Sequence, residues 1–195
     1  VLGLGFLEVG IAPTSPVSAK LLPTPAQDEA LLAGFSSLAE RFVAEAERGR
    51  VLPFSNLLDL LARLHLGQVK AEPCGAGLGY VAMDAVGEFF LCHRFAGNAK
   101  FRLGSLDEGI DYAKVRDCLD EQAAPRASAC SSCWARSLCA GGCHYENHQR
   151  ESELGLPQGG SCHFIRRWIE LGIRTYGALR ADPDHPVLAF LGRRA

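Results

Sequence analysis

The chain has 195 residues, 48% apolar and 22% charged, which suits a soluble globular domain, or part of one joined to a second small one, and excludes a disordered or fibrous chain. A formal net charge of -2 without a run of Lys or Arg excludes the positive footprint that nucleic acid or an anionic membrane surface requires, leaving small or peptidic partners. The best apolar stretch, Leu57 to Leu66, is broken by Asp59 and Arg63 and falls far short of the roughly twenty residues a spanning helix needs.

In chain order, the apolar run over residues 1–9 suits a strand buried on both faces, followed by a loop rich in Gly, Pro, Ser and Thr from Gly10 to Pro16. The run has no initiating Met, no positive flank and no small-residue cleavage site, so it makes a poor signal peptide and reads as a strand of a longer chain. Thr24-Pro25 offers an N-cap with proline at the first helical position. Leu31, Leu32, Phe35, Leu38, Phe42, Val43 and Ala46 then recur at helical spacing until Gly49 ends the pattern. Ser55 is expected to cap a second helix through about His65, with Gly67 closing it. Strand followed by covering helix is the repeat of a parallel α/β sheet or barrel.

Composition changes near Glu72-Pro73-Cys74. Tyr80 to Met83 and Glu88 to Cys92 are strand-like runs around the turn Asp84-Ala85-Val86-Gly87, predicting a hairpin flanked by Cys74 and Cys92. A short helix is expected from about Asp107, as cap, to Leu119, then a Cys-rich loop from Cys130 to Cys143. A last helix is expected over Cys162 to Arg180, with Ile165, Trp168, Ile169, Ile173 and Tyr176 on one side and Asp182-Pro183 stopping it. The domains are thus expected at 1–70, 71–181 and a tail at 182–195.

The eight cysteines carry the chemistry. None lies in the first seventy-three residues, and four fall within fourteen, as Cys130-x2-Cys133-x5-Cys139-x3-Cys143, with Cys74 and Cys92 before them and Cys162 after. Closely spaced thiolates on a loop can converge on one soft metal centre, and nearby glycines (Gly75, Gly77, Gly87, Gly141, Gly142) let backbone N–H groups reach sulfur. Two other readings stay open: a structural zinc ribbon built on the two close cysteine pairs, and a disulfide framework. Cys118, irregularly spaced on the expected helix, reads either as a small buried apolar residue or as a further ligand.

The order and intervals over residues 74–162, with the stretch from Cys133-Trp134 to Cys143, resemble the SPASM domain of radical S-adenosylmethionine enzymes that mature peptides and small proteins. The resemblance implies an α/β fold: closing strand–helix units of a partial barrel, then a small α+β domain with a hairpin and Cys-rich loops. It further implies two auxiliary 4Fe-4S clusters, the first on Cys74, Cys92 and Cys143, the second on Cys130, Cys133, Cys139 and Cys162. The first set lacks one ligand, leaving an open iron, a ligand from elsewhere, or Cys118. The family's Cys-x3-Cys-x2-Cys loop for S-adenosylmethionine and its own cluster occurs nowhere here, so the chain is expected to be part of a longer or split enzyme.

By that resemblance the function is post-translational modification of a ribosomal peptide or small protein, with thioether formation from a substrate cysteine favoured. The run Cys162-His163-Phe164-Ile165-Arg166-Arg167-Trp168 is similar to maturases of the quinohemoprotein amine dehydrogenase small subunit. Alternatives are radical oxidation or carbon–carbon cross-linking, a non-catalytic electron-transfer or peptide-binding module, and a zinc-stabilised domain. The implied partners are a peptide substrate and a reductant such as ferredoxin or flavodoxin, in the cytoplasm, where clusters persist. His93, His144 and His163, each following a cysteine, read as groups supporting ligands rather than as ligands; Arg94, Lys100 and Arg136 read as exposed cations or charge partners; Trp134 and Trp168 as packing around the cysteine loop.

Overall fold

The computed structural model describes residues 8–10, 24–148 and 160–194, with the side chains of 122, 124–129, 160 and 161 set aside. The chain divides into two compact units, the first formed by Val1–Lys70 with Gly160–Ala195 and the second by Ala71–Gly159.

The first unit is helical. Helix α1 (Pro25–Glu47) starts as its sequence predicts: Thr24 stays extended, its hydroxyl accepts the Gln27 N–H at 3.3 Å, and the Gln27 side chain accepts the Thr24 N–H at 2.8 Å, a reciprocal capping box with proline at the first turn. Its buried stripe is Leu32, Phe35, Ala39, Phe42 and Ala46, whereas Leu31 faces outward. Helix α2 (Ser55–Leu66) ends at Gly67 with φ of 63°, the left-handed cap that glycine adopts without a Cβ penalty. Its start differs from expectation. Phe54 occupies the capping position and Ser55, already helical, turns its hydroxyl to the Val9 carbonyl at 3.3 Å.

Helix α6 (Gly160–Arg180) packs on α1 and α2, and a short helix α7 (Pro186–Gly192), unforeseen in the sequence, packs on α2. The close approach of α6 to α2 rests on Gly172, where a Cβ would stand 2.3 Å from Leu60 Cδ2. The shared core is Phe35, Phe42, Leu57, Leu58, Leu61, Leu179, Val187 and Leu191, roofed by Trp168 against Phe35 and Phe54. Arg194 holds the C-terminal end down, its guanidinium bonded to Glu8 and, at 2.9 Å, to Asp59.

The second unit contains a four-stranded antiparallel sheet in the order β1 (Ala82–Met83), β2 (Glu88–Phe90), β3 (Arg102–Ser105), β4 (Gly109–Ile110). The expected hairpin is β1–β2: Asp84 Oδ1 accepts the N–H groups of Val86 and Glu88, and Gly87 takes φ of 85°. Asp107 is not a helix cap. Residues 109–110 pair as a strand, and helix α3 (Tyr112–Ala129) begins later, with Asp111 Oδ1 accepting the Ala113 and Lys114 N–H groups. Helix α4 (Arg136–Cys139) and a helical segment α5 (described over residues 144–148) complete the unit. Its core is Ala76, Leu91, Cys92, Phe95, Phe101, Leu103, Val115 and Cys118, with Phe95 and Phe101 stacked at 3.8 Å between centroids.

The expected α/β fold is therefore corrected. Among the described residues the chain is mainly helical with one small open antiparallel sheet, and no strands close into a barrel. Of the anticipated N-terminal strand, residues 1–7 lie outside the described residues, and what is described pairs through one parallel bridge, Val9 to Phe54. The elements that read as barrel helices instead pack on helix α6 from the far end of the chain, so their apolar faces are buried by helix-on-helix contact and need no parallel sheet.

Candidate thiol site

None of the eight cysteines is joined in a disulfide, so a disulfide framework is absent from the structure. Cys74, Cys92 and Cys143 come together in the second unit. Cys92 closes the hairpin and is buried; Cys74 precedes the glycine-rich segment 75–80 and is exposed; Cys143 precedes α5 and is half-buried. They stand close enough for charge on one to act on the others. The Cys92 thiol is pushed up chiefly by burial and further by Cys143 and Cys74, while backbone N–H groups of Arg94 and Phe95 directed at its sulfur oppose the shift. The Tyr80 phenol is likewise raised, first by burial and then by charge on Cys74 and Cys92, with a hydrogen bond to the Cys74 sulfur.

Arg94 organises the group. Its Nη1 donates to Cys143 Sγ at 3.2 Å and its Nη2 to Glu146 Oε1 at 2.6 Å, with the guanidinium over the Tyr145 ring at 4.6 Å. The planar fork of arginine can serve sulfur and carboxylate at once, which a lysine ammonium on a flexible stem does less well. Local sequence sets this up. Arg94 is the middle residue of a 3-10 turn (His93–Phe95) that starts directly after Cys92, and Glu146 follows Cys143 by three residues, one helical turn on.

The other cysteines lie on other elements. Cys130 and Cys133 share a turn through Cys133 N–H to Cys130 carbonyl at 3.1 Å, and Cys139 ends α4 before three successive positive-φ residues, Ala140, Gly141 and Gly142. Cys162 lies on α6 in the first unit. Cys118 is buried in the core of the second unit, its thiol raised by burial first and then by the charge of Glu121.

The remaining candidates divide. His93 is exposed; His144 is buried with Nε2 4.0 Å from Glu72; His163 is exposed and paired with Glu29 at 3.0 Å. Lys100 pairs with Glu121 and Arg136 is exposed. Neither tryptophan packs round the cysteine loop as expected, for Trp134 is 57% exposed and Trp168 belongs to the first unit's core. Tyr80, Tyr145 and Glu146 were not foreseen. Their one sequence signal is proximity to cysteines, or to the glycines of 75–80.

No protein-family model matches the chain, and no curated protein matches it. The SPASM identification is corrected accordingly, together with the radical maturase function drawn from it. Among the described residues no three or more Cys, His, Asp and Glu side chains are placed to hold a metal ion, which overturns the expectation of two 4Fe-4S clusters on the Cys74, Cys92, Cys143 and Cys130, Cys133, Cys139, Cys162 sets. A cluster requires sulfurs converging at bonding distance, about 2.3 Å from each metal, and the interval between cysteines in sequence does not by itself impose that. The thioether and cross-linking chemistries, the electron-transfer module and the zinc-stabilised alternative rested on the same convergence and fall with it.

No described helix is long and apolar enough to cross a membrane.

Proposed function

We propose that the second unit works through a thiol centre formed by Cys74, Cys92 and Cys143, which engages a cysteine-containing peptide or small protein by thiol–disulfide exchange. The observation that carries this reading is the Arg94 guanidinium fixed between Cys143 Sγ and Glu146. A charged donor on sulfur is what an attacking thiolate uses, and charge-assisted hydrogen bonds are roughly twice as strong as neutral ones. The Cys143 thiolate attacks one sulfur of the partner's disulfide; a mixed disulfide forms as the partner's S–S bond breaks, and the expelled sulfur takes up a proton. Cys92 then loses its proton and displaces the bound sulfur, leaving an internal Cys92–Cys143 disulfide and a partner reduced by two electrons. A small thiol reductant restores the pair.

Eight cysteines without a disulfide among them fit a reducing compartment, and we place the protein in the cytoplasm on that ground.

The test is alkylation by iodoacetamide, followed cysteine by cysteine by mass spectrometry. Cys143 is expected to react on the order of tenfold faster than the comparably half-buried Cys133 and Cys139, and Arg94→Met to remove most of that difference, with Arg94→Lys intermediate. Equal rates at the three cysteines in the unaltered protein would sink the reading.

A further inference from the structure

Cys130-Ser131-Ser132-Cys133 joins the end of α3 to the approach to α4, and its backbone is closed into a turn: the Cys133 N–H donates to the Cys130 carbonyl at 3.1 Å. A turn of that kind holds the Cα atoms of its first and fourth residues within about 7 Å. A disulfide spans Cα atoms about 4.4–6.8 Å apart, so the backbone has already brought this pair into bonding range.

The turn is held on both sides. Cys130 directly follows α3, which ends at Ala129. On the other side, the Arg136 N–H donates to the Cys133 carbonyl at 3.1 Å, and Ala135, 1% exposed, anchors the chain while its carbonyl accepts the Leu138 and Cys139 N–H groups. Between the cysteines, Ser131 and Ser132 are exposed, and both cysteines are half-buried rather than enclosed. A cysteine that serves only as a small apolar residue is typically buried, as Cys118 is.

We infer that Cys130 and Cys133 form a reversible redox pair, a second thiol site whose substrate is a low-molecular-weight disulfide. One cysteine, as thiolate, attacks a sulfur of the small disulfide; a mixed disulfide forms, and one small thiol leaves with a proton. The second cysteine then loses its proton and attacks the first cysteine's sulfur, forming the Cys130–Cys133 bond and releasing the other small thiol. The pair is oxidised by two electrons and the small disulfide is reduced to two thiols. Because the ring to be closed is short and its backbone is already folded, little further chain entropy is lost. The pair works without Arg94 or Cys143, so loss of Cys143 selectivity leaves it untouched.

The sequence makes the test direct. Arg126 and Arg136 bracket the pair, so trypsin releases residues 127–136 with these two cysteines and no other. The full chain is equilibrated without oxygen in glutathione buffers of rising disulfide fraction, quenched with acid, alkylated and digested, and this peptide is weighed. It is expected to lose two hydrogens and take no alkyl group, whereas Cys130→Ser and Cys133→Ser each stop at a glutathione adduct on the remaining cysteine. The equilibrium constant for closing the bond is expected to be about tenfold larger in the folded chain than in urea, the equivalent of one residue's backbone already ordered. A peptide that remains a dithiol, glutathione adducts in place of the internal bond in the unaltered protein, or a constant no larger than in urea would each overturn the inference.

Discussion

The two units of this chain build their cores from opposite kinds of sequence. In the first, long helices each supply a periodic apolar stripe, so Phe35, Phe42, Leu57, Leu61 and Leu179 meet because 3.6-residue spacing aligns them along facing helices. In the second, the buried residues come from the loop positions Ala76, Leu91 and Cys92, two 3-10 turns, strand β3 and helix α3, and what aligns them is a series of turns fixed by Asp84, Gly87, Asn98 and Asp111. A stripe tolerates local error because neighbouring turns share the burial. A turn-built core does not, since one slipped residue moves a whole strand face.

Deletion of a core ring should have the largest effect. Phe42 is fully buried in the first unit, and Phe42→Ala is expected to cost about 3–5 kcal/mol in denaturant unfolding through lost transfer energy and the cavity left behind. The comparison sharpens if alkylation of Cys143 in the still-folded variant is unchanged, as expected for a residue of the other unit's core. A marked acceleration of Cys143 would show that the two cores do not behave as separate units.

A smaller expected loss tests the turn-built core at its tightest point. Gly104 has φ of 133°, and a Cβ there would stand 2.0 Å from the Gly109 carbonyl oxygen, a backbone atom that cannot swing aside as a side-chain end can. Gly104→Ala is expected to cost about 1–3 kcal/mol by overpacking and strain. It should also disturb the start of α3, because the Asp111 N–H donates to the Leu103 carbonyl at 2.7 Å next to this position. Unfolding identical to the unaltered protein would mean the β3–β4 pairing is not as described.

The same contrast explains what could be read beforehand. Helices α1 and α6 and the β1–β2 hairpin were legible because capping, periodicity and an Asp-to-Gly turn are local signals. Strands β3 and β4 were not: Arg102-Leu103-Gly104-Ser105 carries a central glycine that reads as loop, and Asp107 imitates a cap that Asp111 actually supplies. Helix α7 has no comparable signal, because Asp182-Pro183 reads as a final stop, whereas His185 caps a new helix two residues later, its ring nitrogen accepting the Val187 N–H. At the site, the cysteines stood out by spacing alone, but spacing has no depth. Burial separates exposed Cys74 from buried Cys92, and Arg94 reaches Cys143 across forty-nine residues of sequence. Sequence spacing counts thiols and does not place them, and among the described residues they do not converge as metal donors.

The smallest expected effect lies at the best-read feature. Thr24 closes the capping box of α1 in an exposed position, with its hydroxyl and the Gln27 amide serving each other's N–H groups. Thr24→Ala removes one acceptor from the first turn and should cost about 1 kcal/mol. The loss should be confined to fraying, since the first buried side chain of α1 is Leu32, about two turns along. Hydrogen exchange over residues 25–29 should quicken while amides around Phe42 keep their protection. If protection falls along the whole helix, α1 depends on its cap for existence, and the stripe that made the first unit legible is weaker than helix packing alone would make it.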